Sequence, residues 1–181
     1  RPLSTDYNPP HKDIYEALVE KGVDPSKAKQ ISETSEGDYG KALALSDEDK
    51  NSLAFEQLFI EWVRAAFKAK TDKKSINQLM AWSERMAKLG RELEKQFLHY
   101  SLNAFRQAML LNYGANEMVS LKIRDTSFSL KKFSLFVGSA NIEGISREFE
   151  NAIYHIERNG NGKIIRTDLS IKLTRLLHKK E

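Results

Sequence analysis

Four histidines are the side chains best suited to proton transfer or metal binding in this sequence, and they are scattered along it: His11, His99, His155 and His178. None has a second histidine or a cysteine at ligand spacing, and the chain contains no cysteine at all. His155 and Glu157 are two residues apart, a separation that points side chains to different faces of a helix. The pattern therefore predicts neither a metal site nor a thiolate nucleophile.

The motifs of common hydrolases and nucleotide-binding enzymes are also missing from the sequence. No Gly-x-Ser-x-Gly turn is found, and no glycine-rich loop ends in Lys-Ser or Lys-Thr to hold phosphates. Tyr100 and Arg106 flank a mostly apolar helical pattern, which favours packing and ion-pair roles for them. We expect no catalytic residue and no cofactor in this chain.

Composition and charge narrow the classes of protein further. The 181 residues are 40% hydrophobic and 30% charged, proportions typical of a soluble helical protein. No apolar run approaches the roughly 20 residues that cross a bilayer, and no signal sequence opens the chain. We therefore expect a cytoplasmic protein with no membrane contact. Because the chain begins with Arg1 rather than Met, we expect a piece of a longer protein.

The net charge of +4 raises the question of nucleic-acid binding. The 29 basic residues are nearly matched by 25 acidic ones, and the two signs alternate over most of the length. Lys172, Arg175 and Lys179 share one face of the last predicted helix, but cations near a helix C-terminus also complement its dipole. The charge pattern does not predict direct DNA binding.

Residues 1–46 carry the pattern of a small helical bundle. Proline-rich residues 1–10 are predicted to be extended, and a first helix is predicted over about 11–21. Asp24 followed by Pro25 is a strong start signal for a second helix, which should reach about Thr34. After Gly37 and Asp38, a third short helix is expected around residues 42–45. A core this small should have little stability of its own.

Residues 47–181 show longer helical patterns, so we place a domain boundary at 46/47. Helices are predicted over about 49–70, 74–88, 91–112 and 141–157, with a last one from about 163. The second of them shows the apolar residues Ile76, Leu79, Met80 and Met86. Residues 115–140 are predicted to be a loop that leads into a short buried helix, because the alternating apolar residues there have no strand partner. Asn141 is predicted to cap the following helix.

The last two predicted helices carry matching apolar stripes on either side of a polar turn. One stripe contains Ile145, Phe149, Ala152, Ile153 and Ile156, and the other contains Ile165, Leu169, Leu173 and Leu176. Between them, residues 159–163 read Asn-Gly-Asn-Gly-Lys, a composition that permits a sharp reversal. The sequence therefore predicts an antiparallel pair of helices.

The segment from His155 to Leu177, HIERNGNGKIIRTDLSIKLTRLL, resembles the end of delta-prime subunits of bacterial DNA polymerase III sliding-clamp loaders. In that family the segment belongs to the helical collar domain that joins subunits into a ring. The residues carrying the resemblance, which imply a structural role, are Asn159, Asn161, Lys163, Asp168 and Leu169.

A second stretch, residues 37–43, is similar to the last helix of the small lid domain in AAA+ ATPases. The matching residues are Gly37, Asp38, Ala42 and Leu43. Gly40 stands where the family has an arginine that senses the nucleotide phosphate, and glycine has no donor to offer. Such a loss is expected in a delta-prime-like subunit, which resembles an ATPase without hydrolysing ATP.

Together the two resemblances imply an all-α chain, with an AAA+ lid at residues 1–46 and a five- or six-helix collar at 47–181. They imply a non-catalytic subunit of the heteropentameric loader, held beside its sister subunits by the apolar seams of the last helices. The sliding clamp and DNA would be contacted only through the whole complex. Two alternatives stay open: a fragment of an ATP-hydrolysing loader or other AAA+ subunit, against which Gly40 argues, and an unrelated helical adaptor.

Overall fold

A computed structural model describes the backbone of residues 11–179 and their side chains apart from that of Asp49. The predicted extended segment 1–10 lies outside the described residues. Within the described range the fold is all-α, as predicted, with no strand. The elements, one of them a single 3-10 turn, are α1 (Lys12–Glu20), α2 (Pro25–Thr34), α3 (Tyr39–Lys68), α4 (Lys73–Ala87), α5 (Arg91–Asn112), the turn Asn116–Met118, α6 (Leu130–Ser134), α7 (Ile142–Glu157) and α8 (Gly162–Leu177).

Helix α3 is one continuous helix where the sequence analysis predicts two. The polar run that begins at Ser46 resembles a helix start, but no glycine or proline follows Gly40 before the helix ends. Asp47 and Glu48 are exposed, so they are tolerated inside a helix at little cost. The chain forms two compact units, residues 1–54 and 55–181, and their division falls inside α3 rather than at the predicted 46/47.

The N-terminal unit has a small apolar core, made by Ile14, Leu18, Ala28 and Ala42. As the sequence predicts, Asp24 caps α2: its carboxylate accepts a hydrogen bond of 3.0 Å from the backbone N–H of Ser26, and Pro25 occupies the first helical position. Local signals therefore define the start of this helix, while few apolar side chains hold the bundle together.

The core of the C-terminal unit is large and aromatic. The predicted inward face of α3 is confirmed, with Phe59 and Trp62 fully buried. Trp62 stacks on Trp82 of α4 at a centroid distance of 4.5 Å, and Phe149 of α7 packs against the Trp62 ring at 5.4 Å. Such aromatic contacts bury much apolar area and fix the rotation of each helix about its axis.

Helix α4 buries only part of the apolar series that the sequence shows there. Its buried residues are Ser75, Trp82, Ser83 and Met86. The Trp82 indole donates a 3.0 Å hydrogen bond to the backbone carbonyl of Leu58, which holds that side of the helix inward. Of the apolar residues noted in the sequence, Met86 is fully buried, whereas Ile76 and Met80 are 48% and 58% exposed.

Residues 119–125 run as an extended loop, and two buried side chains satisfy its backbone. The Gln107 side-chain oxygen accepts hydrogen bonds from the N–H groups of Ser120 and Leu121, at 2.7 and 3.2 Å. The Glu56 carboxylate accepts hydrogen bonds from the backbone N–H groups of Arg124 and Asp125, at 2.9 and 2.8 Å. The loop is confirmed. Long-range side-chain acceptors replace the strand partner that the sequence lacks.

Helices α7 and α8 are antiparallel, as predicted. Gly144 lies against Leu176, since a Cβ built on this glycine would be 2.8 Å from the Leu176 side chain. Four residues later on α7, Glu148 accepts a 2.7 Å hydrogen bond from Lys172, which is four residues earlier on α8, so the two helices run in opposite directions. The buried face of α8 differs in part from the predicted stripe, since Ile165 and Leu176 are only partly buried. Its buried residues are Arg166, Leu169, Ser170, Leu173 and Leu177.

Asn141 precedes α7, but its side chain does not cap that helix. Its Oδ1 accepts from the N–H of Gly138 at 3.0 Å, and its Nδ2 donates to the carbonyls of Phe136 and Leu176 at 2.7 and 3.0 Å. The predicted capping role is therefore wrong, because the buried amide instead ties the end of α8 to the loop before α7.

Candidate interaction surface

The lid-like residues 37–43 form the start of α3. Gly37 has φ of +89°, a conformation that L side chains rarely adopt. The Asp38 carboxylate accepts a 3.0 Å hydrogen bond from the backbone N–H of Lys41, and Ala42 is fully buried while Leu43 is partly buried. Gly40 lies exposed in the first turn of the helix. This stretch is accordingly a helix cap and an anchor for the small core.

The collar-like residues build the turn between α7 and α8. Asn159 has φ of +61°, and its side-chain oxygen accepts a hydrogen bond from the Arg91 guanidinium. The Asn161 side chain caps α8 by accepting from the N–H groups of Lys163 and Ile164, at 3.0 and 3.3 Å. The reversal expected at the glycines is therefore made by Asn159.

Gly160 has a different role in the turn, that of allowing close packing. A Cβ built there would lie 2.8 Å from the carbonyl oxygen of His155 and 2.9 Å from the Ile165 side chain. Of the remaining signature residues, Leu169 is buried, Asp168 pairs with Lys172 at 2.8 Å, and the side chain of Lys163 is exposed.

The structure keeps the four histidines apart. His99 and His155 are exposed, His11 lies beside Gly37, and the ring of His178 stacks on Phe67 at 4.6 Å. Across residues 11–179, no group of three His, Asp or Glu side chains is placed to hold a metal ion. Over the same range, no helix is long and apolar enough to span a bilayer.

A buried ion pair, which the sequence analysis did not find, anchors α8. The Arg166 guanidinium bonds to the Glu94 carboxylate of α5 at 2.8 Å and to the Ser83 hydroxyl of α4 at 3.0 Å. One turn further along α8, Ser170 accepts a 2.9 Å hydrogen bond from the Trp62 indole. The sequence did contain a signal for this ion pair: Arg166 is a charged residue between Ile165 and Leu169 of the apolar stripe of α8.

This polar cluster fixes which side of α8 faces outward. With Arg166 and Ser170 turned inward, Ile164 and Ile171 point out and are 66% and 48% exposed. An open apolar groove of about 410 Å³ lies between Ile171 of α8 and the exposed side of α4. The groove is lined by residues of two helices, among them Ile76, Leu79, Met80, Ala87, Thr167 and Ile171. We call it the α4–α8 groove.

The cationic face predicted on α8 is partly neutralised in the fold. Lys172 forms ion pairs with Glu148 and Asp168, at 2.7 and 2.8 Å. Hydrogen bonds to Asp168 and then to Glu148 raise the pKa of Lys172 above its ordinary value. This lysine is therefore committed to holding α7 and α8 together.

Comparisons with protein-family models, with curated proteins and with solved structures give no match. The geometry above, together with the resemblances in the sequence, carries the functional argument.

Proposed function

We propose that this chain is the lid and collar part of a delta-prime-like subunit, a non-catalytic member of a clamp loader. Its C-terminal unit would hold it in the heteropentameric ring, beside the other loader subunits. The proposal depends above all on the α4–α8 groove, an exposed apolar surface on the part of the chain that resembles a collar. A cytoplasmic location goes with this role.

The groove suits a partner helix because its apolar side chains belong to two neighbouring helices. Ile76 and Met80 repeat at four-residue spacing on α4, so they form a stripe along that helix, and Ile171 of α8 lines the same groove. Contiguous exposed apolar surface with a polar surround is typical of protein–protein contacts. A helix from a neighbouring collar would bury these three side chains.

The apolar seams of α7 and α8 are not available for this purpose. Ile145, Phe149 and Leu173 are at most 1% exposed, because they fill the core of their own unit. The subunit contact is therefore proposed on the outward faces of α4 and α8 instead.

A non-catalytic role is supported by Gly40. Gly40 lies in the exposed first turn of α3, where a Cβ would already come within 3.3 Å of the Asp38 carboxylate, and glycine offers no donor to a phosphate. The role of the chain in loading would then be mechanical: the collar holds the ring, and the lid transmits the position of an upstream domain. Contact with the sliding clamp and DNA would occur only through the whole complex.

Mixing this chain with the other loader subunits of the same cell tests the proposal. We expect one complex on a sizing column that persists at high salt, because apolar contacts are not screened by ions. The double variant Ile76→Glu/Ile171→Glu should elute apart from the other subunits, since it places two carboxylates in the apolar contact. Met118→Glu is the matched control, because Met118 is 68% exposed and lies outside the groove.

The same groove would also serve an unrelated helical adaptor, and the mixing experiment separates the two roles. If the unmodified chain elutes alone from the loader subunits, the collar assignment fails and the adaptor is favoured. If a complex forms and Met118→Glu disrupts it as strongly as the groove variant, the α4–α8 groove is not the contact.

A further inference from the structure

A second surface of the C-terminal unit combines an apolar floor with a basic rim. Two cavities, of about 480 and 270 Å³, adjoin each other and share the rings of Phe67 and Phe136 in their walls. The first lies beside the end of α8, and the second lies between α3 and the segment around α6. We call the two together the basic aromatic surface.

The rim of this surface carries charge of one sign. Five cationic side chains line the two cavities, and no acidic residue lines either: Arg64, Lys68, Lys70, Lys132 and Lys179. Within residues 11–179, none of the four lysines forms an ion pair. The whole sequence holds 29 basic and 25 acidic residues, so this is a strong local excess of positive charge. The excess attracts carboxylates and gives a binding partner its orientation.

The floor is apolar and already ordered. Leu135 is 73% exposed and Phe136 is 42% exposed, which leaves large apolar area open to solvent. Phe136 packs against the Phe67 ring at a centroid distance of 4.7 Å, and His178 stacks on Phe67 at 4.6 Å. The Nδ1 of His178 is 2.8 Å from the carbonyl of Thr174, which fixes the imidazole on its own helix. A partner would therefore meet a floor that needs little rearrangement.

We propose that the basic aromatic surface binds an acidic peptide segment of a partner protein, with a large apolar side chain seated on Phe136 and Leu135 and carboxylates facing the rim. Concave apolar cavities of this volume accept single side chains, and the five cations complement the flanking acids. Single-stranded nucleic acid fits less well, since base stacking requires free aromatic faces and Phe67 already stacks with His178. A membrane surface fits less well because the apolar floor is concave.

This proposal is independent of the loader assignment and is tested on the full 181-residue chain alone. The probe is a fluorescein-labelled peptide of sequence DEDLFEDFE, whose binding is followed by fluorescence anisotropy. We expect saturable binding that weakens as salt is added. Peptides DEDSSEDSE, without the apolar side chains, and SGSLFSGFS, without the charges, should each bind at least about tenfold more weakly.

Two variants locate the site. Lys70→Glu/Lys179→Glu reverses two rim charges and should weaken binding of the acidic peptide by about tenfold or more. Lys41→Glu/Lys122→Glu changes the net charge equally at exposed lysines that line neither cavity, and it should bind as the unmodified chain does. Leu135→Ser removes exposed floor area and should also weaken binding. Circular dichroism shows whether each variant retains its helices.

Four results would overturn the proposal. One is equal binding of DEDLFEDFE and DEDSSEDSE, which would indicate charge attraction alone. Another is an equal loss in the Lys41→Glu/Lys122→Glu control. A third is tighter binding of labelled oligothymidylate, or of vesicles containing phosphatidylserine, than of the acidic peptide. The fourth is absence of any peptide binding.

Discussion

The two compact units differ in what holds them together. Among the described residues, four buried apolar side chains form the core of the N-terminal unit, whereas twenty-five form that of the C-terminal unit. The small unit relies on helix caps such as Asp24 and on backbone turns such as Gly37, while the large unit relies on interlocked aromatic rings. Because burial supplies most of the folding free energy, we infer that the N-terminal unit opens far more readily than the C-terminal unit.

The largest effect is expected for Phe149→Ala in the aromatic core. Phe149 is fully buried against Trp62 and Phe105, so the change leaves a cavity that rigid neighbours cannot fill. We expect the free energy of unfolding of the C-terminal unit to fall by about 4 kcal/mol. Urea denaturation followed by tryptophan fluorescence measures it, since Trp62 and Trp82 report this unit. A loss below about 1 kcal/mol would contradict the aromatic core described here.

Breaking the buried ion pair comes next. Arg166→Met leaves the Glu94 carboxylate buried without its cation and should destabilise the C-terminal unit by about 3 kcal/mol. Replacing both partners, Arg166→Met/Glu94→Met, should restore part of that loss, because no buried charge is then unpaired. The same urea denaturation provides the measurement. Equal stability of the single and double variants would show that Glu94 does not depend on Arg166.

Leu18→Ala tests the small core. Leu18 is fully buried, and its truncation should cost the N-terminal unit about 2 kcal/mol. Because this core has only three other buried apolar members among the described residues, we expect this unit to open while the C-terminal unit stays folded. Hydrogen exchange should then rise across residues 12–34 and remain unchanged in α5 and α7. Uniform loss of protection in both units would remove the distinction drawn above.

A matched pair of cap substitutions sharpens the comparison. Asp24→Ala and Asn161→Ala each remove a side chain that accepts two backbone N–H groups, and each should cost about 1 kcal/mol. The same loss is a larger fraction of stability in the small unit. We therefore expect Asp24→Ala to increase hydrogen exchange in α2 clearly, and Asn161→Ala to change exchange in α8 little. The reverse order would contradict the inferred difference in stability.

The last effect is absent at neutral pH, appears only at alkaline pH and concerns the C-terminal unit alone. Burial, with the Glu56 charge as a second cause, raises the pKa of Tyr100 from 10.0 to about 12. Between these values an unfolded chain loses this proton while the folded chain keeps it, so stability is full below pH 10 and falls as pH rises toward 12. Phenolate absorbance of the native chain minus that of Tyr100→Phe should show a single late titration. A difference spectrum that titrates at the ordinary value would refute the burial of this hydroxyl.

Local sequence signals predicted most helix positions correctly. The Asp24-Pro25 start of α2 and the apolar stripe of α7 each depend on neighbouring residues, so a single sequence reveals them. The continuous α3 was missed because cap-like residues at 46–49 resemble a start even though no glycine or proline lies between Gly40 and them. Which side of α4 turns inward was not predictable, because Trp82 is held by Trp62 and Leu58, far away in sequence.

The candidate surfaces were less predictable than the helices. Nothing in the sequence alone shows that Ile76 and Ile171 lie beside one groove, or that Lys70, Lys132 and Lys179 line adjoining cavities. In the groove, Ile76 and Ile171 are 95 positions apart in the chain. On the basic aromatic surface, the three lysines are between 47 and 109 positions apart. Such proximity depends on how the helices pack.

The all-α class, the antiparallel α7–α8 pair and the lack of a donor at Gly40 follow from the amino-acid sequence, because apolar spacing, turn composition and residue identity are properties of the chain. Packing between distant segments places the seams of α7 and α8 in the core of their own unit and leaves Ile76, Met80 and Ile171 outside. A single sequence does not show this, because each helix has more than one apolar face. Only the choice of buried partners, made here by the stacked tryptophans and the Arg166–Glu94 pair, settles which face turns inward.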